Sequence, residues 1–138
     1  MIRLFFGRCE CARAFDIEKL SRLAPSLSVL DVSRCRGITS ADLISLPRSL
    51  TALLARGLRC DTGSMCVLGE GAEELDMEGS NVTAEALKMA LSGRNGVTRL
   101  RLSGCCSLKG GSTGREFGDC LPQDLTHMDI SGCMSLDG

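Results

Sequence analysis

Leu27-Ser-Val-Leu-Asp-Val-Ser-Arg-Cys-Arg-Gly-Ile-Thr39 is the stretch that decides the fold. Leu30 and Val32 are two positions apart, as one face of a β-strand requires, and Cys35 follows three residues later. The pattern returns at Leu100-Arg-Leu-Ser-Gly-Cys105 and Met128-Asp-Ile-Ser-Gly-Cys133. Leu27, Val97 and Leu125 precede these three copies by three positions. Weaker copies are Leu4-Phe-Phe-Gly-Arg-Cys9, Leu53-Leu-Ala-Arg-Gly-Leu58 and Leu75-Asp-Met-Glu-Gly-Ser80, with Leu58 and Ser80 where Cys is expected.

The leading apolar positions Leu4, Leu30, Leu53, Leu75, Leu100 and Met128 are spaced by 26, 23, 22, 25 and 28 residues. This period excludes ankyrin and tetratricopeptide arrays. A strand of this kind cannot bury its inward face alone, whereas parallel stacking of successive turns gives each one a neighbour. A small buried side chain at the Cys position then lets the backbone bend away from the sheet.

The segments between copies differ. Asp16 to Leu23 has Ile17, Leu20 and Leu23 at helical spacing, with Asp16 as N-cap and Pro25 as stop. Ser40 to Leu46 places Leu43 and Leu46 on one helical face and ends at Pro47. Thr83 to Leu91 is capped by Thr83 and ends near Gly93. Cys60 to Gly71 and Lys109 to Gly118 are rich in Gly and Ser and are expected to be irregular.

On these residues the chain resembles the cysteine-containing subtype of the leucine-rich-repeat family, best over Leu27 to Thr39 and along essentially its whole length. The segments Leu102 to Lys109 and Leu125 to Leu136 also resemble repeats of plant immune receptors, whose LSGC strings are similar. The resemblance implies an α/β solenoid of about six turns, with a parallel sheet on the concave face and short helices or loops on the convex face. It also implies recognition of proteins: substrate choice in ubiquitin ligases, ligand sensing or scaffolding.

Composition limits the alternatives. With 138 residues and 43% hydrophobic content, one domain over 1–138 is expected, its core aliphatic because Trp and Tyr are absent and Phe occurs four times. Sixteen basic against seventeen acidic residues give no global field, which argues against nucleic acid as a direct specific ligand. No apolar run reaches the ~20 residues of a membrane span. Nine cysteines, an odd number without linked CxxC pairs, point to a reducing intracellular compartment rather than a disulfide framework. Cytoplasm is the first expectation. A mitochondrial address stays open, because Arg3, Arg8 and Arg13 punctuate an apolar amino end; Glu10 and Asp16 count against a leader. The first strand begins close to Met1 and the sixth repeat stops just after its strand, so both ends are expected to be uncapped.

Strand alternation puts Arg3, Phe5, Val29, Asp31, Arg34, Leu54, Arg56, Glu74, Asp76, Glu78, Arg99, Arg101, His127 and Asp129 on the concave face. Asp76, Arg101 and Asp129 are expected to form a charge ladder across three strands. Other chemistries fit less well. Cys9 with Cys11, or Cys105 with Cys106, plus His127 have poor zinc spacing, and no catalytic signature surrounds any Cys. Cys11, Cys60, Cys66, Cys106 and Cys120 fall in return segments as redox candidates, with nothing nearby to activate them. Lys109-Gly-Gly-Ser-Thr-Gly114 lacks the GK[ST] of a phosphate loop. Glu73, Glu74, Asp76 and Glu78 read as a solvated acidic face. The sequence thus points to a non-enzymatic interaction module with no cofactor, metal or small-molecule substrate. Its expected partners are other protein subunits, met at the concave face and the solenoid ends. The alternative is a substrate-recognition arm of a ubiquitin ligase, which needs an adaptor helix pair not found in these residues.

Overall fold

Six short strands pair in parallel, and their order in the sheet follows their order in the chain. A computed structural model describes residues 2–8, 14–60, 65–92, 96–108, 118 and 121–133. The strands are β1 (Ile2–Phe5), β2 (Leu27–Asp31), β3 (Ala52–Leu54), β4 (Glu74–Asp76), β5 (Arg99–Arg101) and β6 (His127–Asp129). Between β1 and β2 lies α1 (Ala14–Leu23), between β2 and β3 a 3-10 helix (Ser40–Ser45), and between β4 and β5 α2 (Ala84–Ala90). The architecture is therefore α/β with an all-parallel sheet. No helix among the described residues is long and apolar enough to cross a membrane.

The repeat read from the sequence sets the register. Leu4, Leu30, Leu53, Leu75, Leu100 and Met128 are partners in one row across all six strands. Leu30, Leu53, Leu75 and Leu100 are fully buried, as are Val32, Ala55, Met77 and Leu102 two residues further on. Each large member of these rows contributes about 2 kcal/mol by leaving water. Apolar burial fades at β6, where Met128 is 43% and Ile130 37% exposed.

After each strand the chain turns through a residue with φ between 58° and 70°: Arg8, Arg34, Gly57, Gly79, Gly104 and Gly132. That left-handed conformation crowds a Cβ, which explains glycine in four of the six turns. The next residue is the Cys position, and its thiol does more than fill a small space. Cys35 Sγ donates to the Phe6 carbonyl at 2.9 Å, Cys105 Sγ to Met77 at 3.1 Å and Cys133 Sγ to Leu102 at 2.9 Å, each acceptor lying one turn back. Ser80 supplies a hydroxyl in the same column, 3.6 Å from Cys105 Sγ. Cys9, the first expected member, lies outside the described residues.

The return segments follow their sequences with three adjustments. Helix α1 starts at Ala14, so Asp16 lies within it and is not its N-cap. Its Ile17 is buried and Leu20 partly buried, but Leu23 is 71% exposed, because at about 100° per residue it has rotated off the Ile17 face. The Ser40–Ser45 segment is a 3-10 rather than an α-helix. It is short, opened by Thr39, whose N–H donates to Asp42 Oδ2 at 2.8 Å, and closed by Leu46 turning extended before Pro47. Leu43 and Leu46 are both buried, as expected. Helix α2 behaves as its sequence indicates: Thr83 Oγ1 accepts from the Ala86 N–H at 3.1 Å, and Ala86, Leu87 and Ala90 face the core. Residues 65–71 contain no helix or strand, as expected of the Gly-rich segment, while most of Lys109–Gly118 lies outside the described residues.

Candidate functional site

The side chains that flank the buried row form two further rows on the opposite face of the sheet. One runs Arg3, Val29, Ala52, Glu74, Arg99, His127; the other runs Phe5, Asp31, Leu54, Asp76, Arg101, Asp129. Eleven of the fourteen residues expected on the concave face stand in these rows. Arg34, Arg56 and Glu78 do not, because they belong to the turns beyond the strands.

Aspartate occupies the second row in β2, β4 and β6, and in each its Oδ1 accepts the backbone N–H two residues ahead. Asp31 takes that of Ser33 at 2.9 Å, Asp76 that of Glu78 at 3.1 Å, and Asp129 that of Ser131 at 3.0 Å. Asp and Asn favour this local bond, which pins the start of the turn. The Ser131 hydroxyl also donates to Asp129 Oδ1 at 2.7 Å. These two bonds, the hydroxyl first, hold the Asp129 carboxyl below its ordinary pKa.

Asp76 differs from the other two in being fully buried. Arg56 Nε donates to its Oδ2 at 2.7 Å, and Arg101 Nη1 stands 3.8 Å from the same oxygen. The hydrogen bond to Asp76, more than its charge, raises the Arg56 pKa above its ordinary value. Arg56 also reaches Glu78 Oε2 at 3.9 Å. Asp76 is thus an internal anchor of the face, roofed by arginines, rather than part of a solvated acidic surface. The register of the expected Asp76–Arg101–Asp129 ladder is present, with Arg56 as its tighter cation.

A cavity of about 650 Å³ opens over β5 and β6, lined by Glu78, Arg99, Leu100, Arg101, Thr126, His127, Met128 and Asp129. Five of the fourteen expected residues meet here. His127 Nδ1 lies 2.9 Å from Thr126 Oγ1. Arg3 and Phe5 stand on the opposite edge strand, Phe5 65% exposed, and do not line this cavity. Arg34 lines a separate cavity with Arg8, Arg36 and Arg59.

Among the described residues, no three His, Cys, Asp or Glu side chains are grouped to hold a metal ion. Burial pushes the Cys66 thiol up to about 12 and raises that of Cys105, so both are held as thiols and neither is an activated nucleophile. Cys9, Cys11 and Cys120 lie outside the described residues.

One feature of the face escaped the sequence reading. Two residues before the buried row, Ser28, Thr51, Thr98 and Thr126 each send a hydroxyl to the backbone carbonyl at the same position one turn back. The acceptors are Ile2 at 2.9 Å, Ser28 at 3.0 Å, Glu73 at 3.4 Å and Thr98 at 3.1 Å. The signal was available as a Ser or Thr recurring at a fixed offset from the buried Leu, broken in the fourth repeat by Glu73. Asn81 adds a side-chain clamp between turns, accepting from the Cys60 N–H at 2.6 Å and donating to its carbonyl at 3.3 Å.

No family model, curated protein or solved structure matches this chain.

Proposed function

We propose that the chain is a leucine-rich-repeat solenoid of the cysteine-containing type and a non-enzymatic protein-interaction module. In this reading it binds partner subunits on the open face of its sheet and serves a larger protein or assembly. The single observation that supports this reading best is the two-row face itself. Six strands hold side chains of mixed charge in a fixed order, over a core that continues beneath them. Such a surface is arranged before a partner arrives, so little ordering entropy opposes binding. Its Arg99, Arg101, His127 and Asp129 group combines a cavity with both charge signs, which suits a polar protein surface and gives orientation more than raw affinity.

The exposed Met128 and Ile130 support a second contact at the β6 side of the sheet. The ubiquitin-ligase alternative uses the same face and differs in what is attached to the chain. A reducing intracellular compartment, cytoplasmic before mitochondrial, fits the described cysteines, all six of which are free thiols.

The test is affinity purification from the native source with the parent chain, Arg99→Glu/Arg101→Glu, and Glu18→Lys/Lys88→Glu on the helical side. Support is a defined set of proteins held by the parent and the helical variant but lost by the sheet variant. Retention of the same set by the sheet variant overturns the assignment.

A further inference from the structure

Arg8 and Arg34 are the only non-glycine residues with positive φ among the described residues, at 61° and 58°. The four other turns use glycine at this position, the residue that adopts the conformation without steric cost. Strained backbone positions of this kind cluster at active sites and ligand clamps. The two arginines occupy adjacent turns: the Arg8 N–H donates to the Ser33 carbonyl and the Arg34 N–H to the Arg56 carbonyl, both at 2.7 Å.

With Arg36, Arg59, Cys35 and Gly57 they line a cavity of about 610 Å³, within the usual size range of small-ligand sites. None of the described residues lining it is acidic. Arg8, Arg34 and Arg36 form no ion pair among the described residues. Gly57 continues the stack of turns, and the Arg34 stem lies 3.6 Å from where a Cβ on Gly57 would be. In a chain of formal net charge −1, four arginines line one cavity, and Arg8, Arg34 and Arg36 give it a local positive field.

We propose that this groove is an anion site for a compact small molecule carrying two or more phosphoryl groups. Each planar guanidinium can present two parallel N–H donors to phosphate oxygens. Arg8, Arg34 and Arg36 together exceed what one carboxylate or one phosphomonoester can neutralise, and match a ligand with neighbouring phosphates. The site is separate from the open sheet face and does not depend on its role.

The test is calorimetric titration of the whole chain with inorganic pyrophosphate, inorganic phosphate and a doubly phosphorylated peptide at physiological ionic strength. The informative variant is Arg8→Gly/Arg34→Gly, because it installs the residue the other four turns use and so preserves the fold, checked by an unchanged or higher melting temperature. Arg36→Glu is the second variant. The expected result is one saturable site, tighter for pyrophosphate than for phosphate, with at least tenfold loss in each variant. Absence of pyrophosphate binding, or binding undiminished in both variants, overturns the assignment. So does binding of the phosphopeptide without binding of pyrophosphate, which instead indicates docking of a modified protein.

Discussion

Arg56 Nε lies 2.7 Å from Asp76 Oδ2, and the Asp76 side chain is completely removed from water while Arg56 keeps 40% of its side chain exposed. The buried carboxylate depends on this partner, on the Arg101 guanidinium and on the Glu78 N–H, because an unpaired charge at this depth would be very costly. Asp76→Ala removes the turn bond and leaves two arginines without their acid, and is expected to lower stability by about 2–3 kcal/mol. Arg56→Ala is expected to cost less, about 1–2 kcal/mol, since solvent and Arg101 partly replace it. Urea unfolding of both single variants and the double variant checks this, and a coupling energy below about 0.5 kcal/mol contradicts it.

The cysteine column offers a second prediction. If small volume alone mattered, Ala at position 105 would serve about as well as Ser. Because Cys105 Sγ donates to the Met77 carbonyl, Cys105→Ser is expected to cost within about 1 kcal/mol, while Cys105→Ala costs about 1 kcal/mol more through the lost bond. Thermal unfolding of the two variants distinguishes these accounts.

Alkaline pH should weaken the fold through its buried thiols. The folded pKa of Cys66 is raised from 9.0 to about 12, and that of Cys105 is raised as well. Between these values the unfolded chain ionises Cys66 and the folded chain does not. Its contribution is therefore complete below pH 9 and declines as pH rises, with a limiting slope of about 1.4 kcal/mol per pH unit. Denaturant midpoints from pH 8 to pH 11 should fall less steeply for Cys66→Ala than for the parent. Equal slopes would contradict the buried-thiol account.

Acid should act on Asp129 in the opposite sense. Its folded pKa lies below the ordinary 3.8, so its stabilising contribution is present above that value and is lost as pH falls through the lower folded one. Carbon-13 titration of the carboxyl should give a midpoint below 3.8 in the parent and a higher one in Ser131→Ala, which removes the leading hydrogen bond. An unchanged midpoint in the variant argues against that cause.

Much of this architecture was legible because strand alternation and the repeat period act on the same residues. Leu30, Leu53, Leu75 and Leu100 could be aligned before any geometry was known, and the flanking rows followed from alternation. The placement of Arg34, Arg56 and Glu78 was not legible in that way, since alternation stops where the chain enters its turn. There the left-handed residue and the aspartate bond decide direction. The burial of Asp76 was hidden for a related reason: its closer cation, Arg56, comes from the preceding turn, and the ladder neighbour Arg101 that sequence register singles out is the more distant one. The Leu23 error shows the limit of three-residue spacing, which drifts around a helix when continued for two steps.

The central claim, that the open sheet face receives a protein partner, is tested most directly by site-specific photo-crosslinking in the native source. A photoreactive residue is placed at Arg99 on the sheet face and, in a separate protein, at exposed Glu85 on α2, which packs on the other side. The account predicts a discrete crosslinked partner from position 99, lost when Arg101 is changed to Glu, and none from position 85. The same partner captured from both positions, or from position 85 alone, would contradict it.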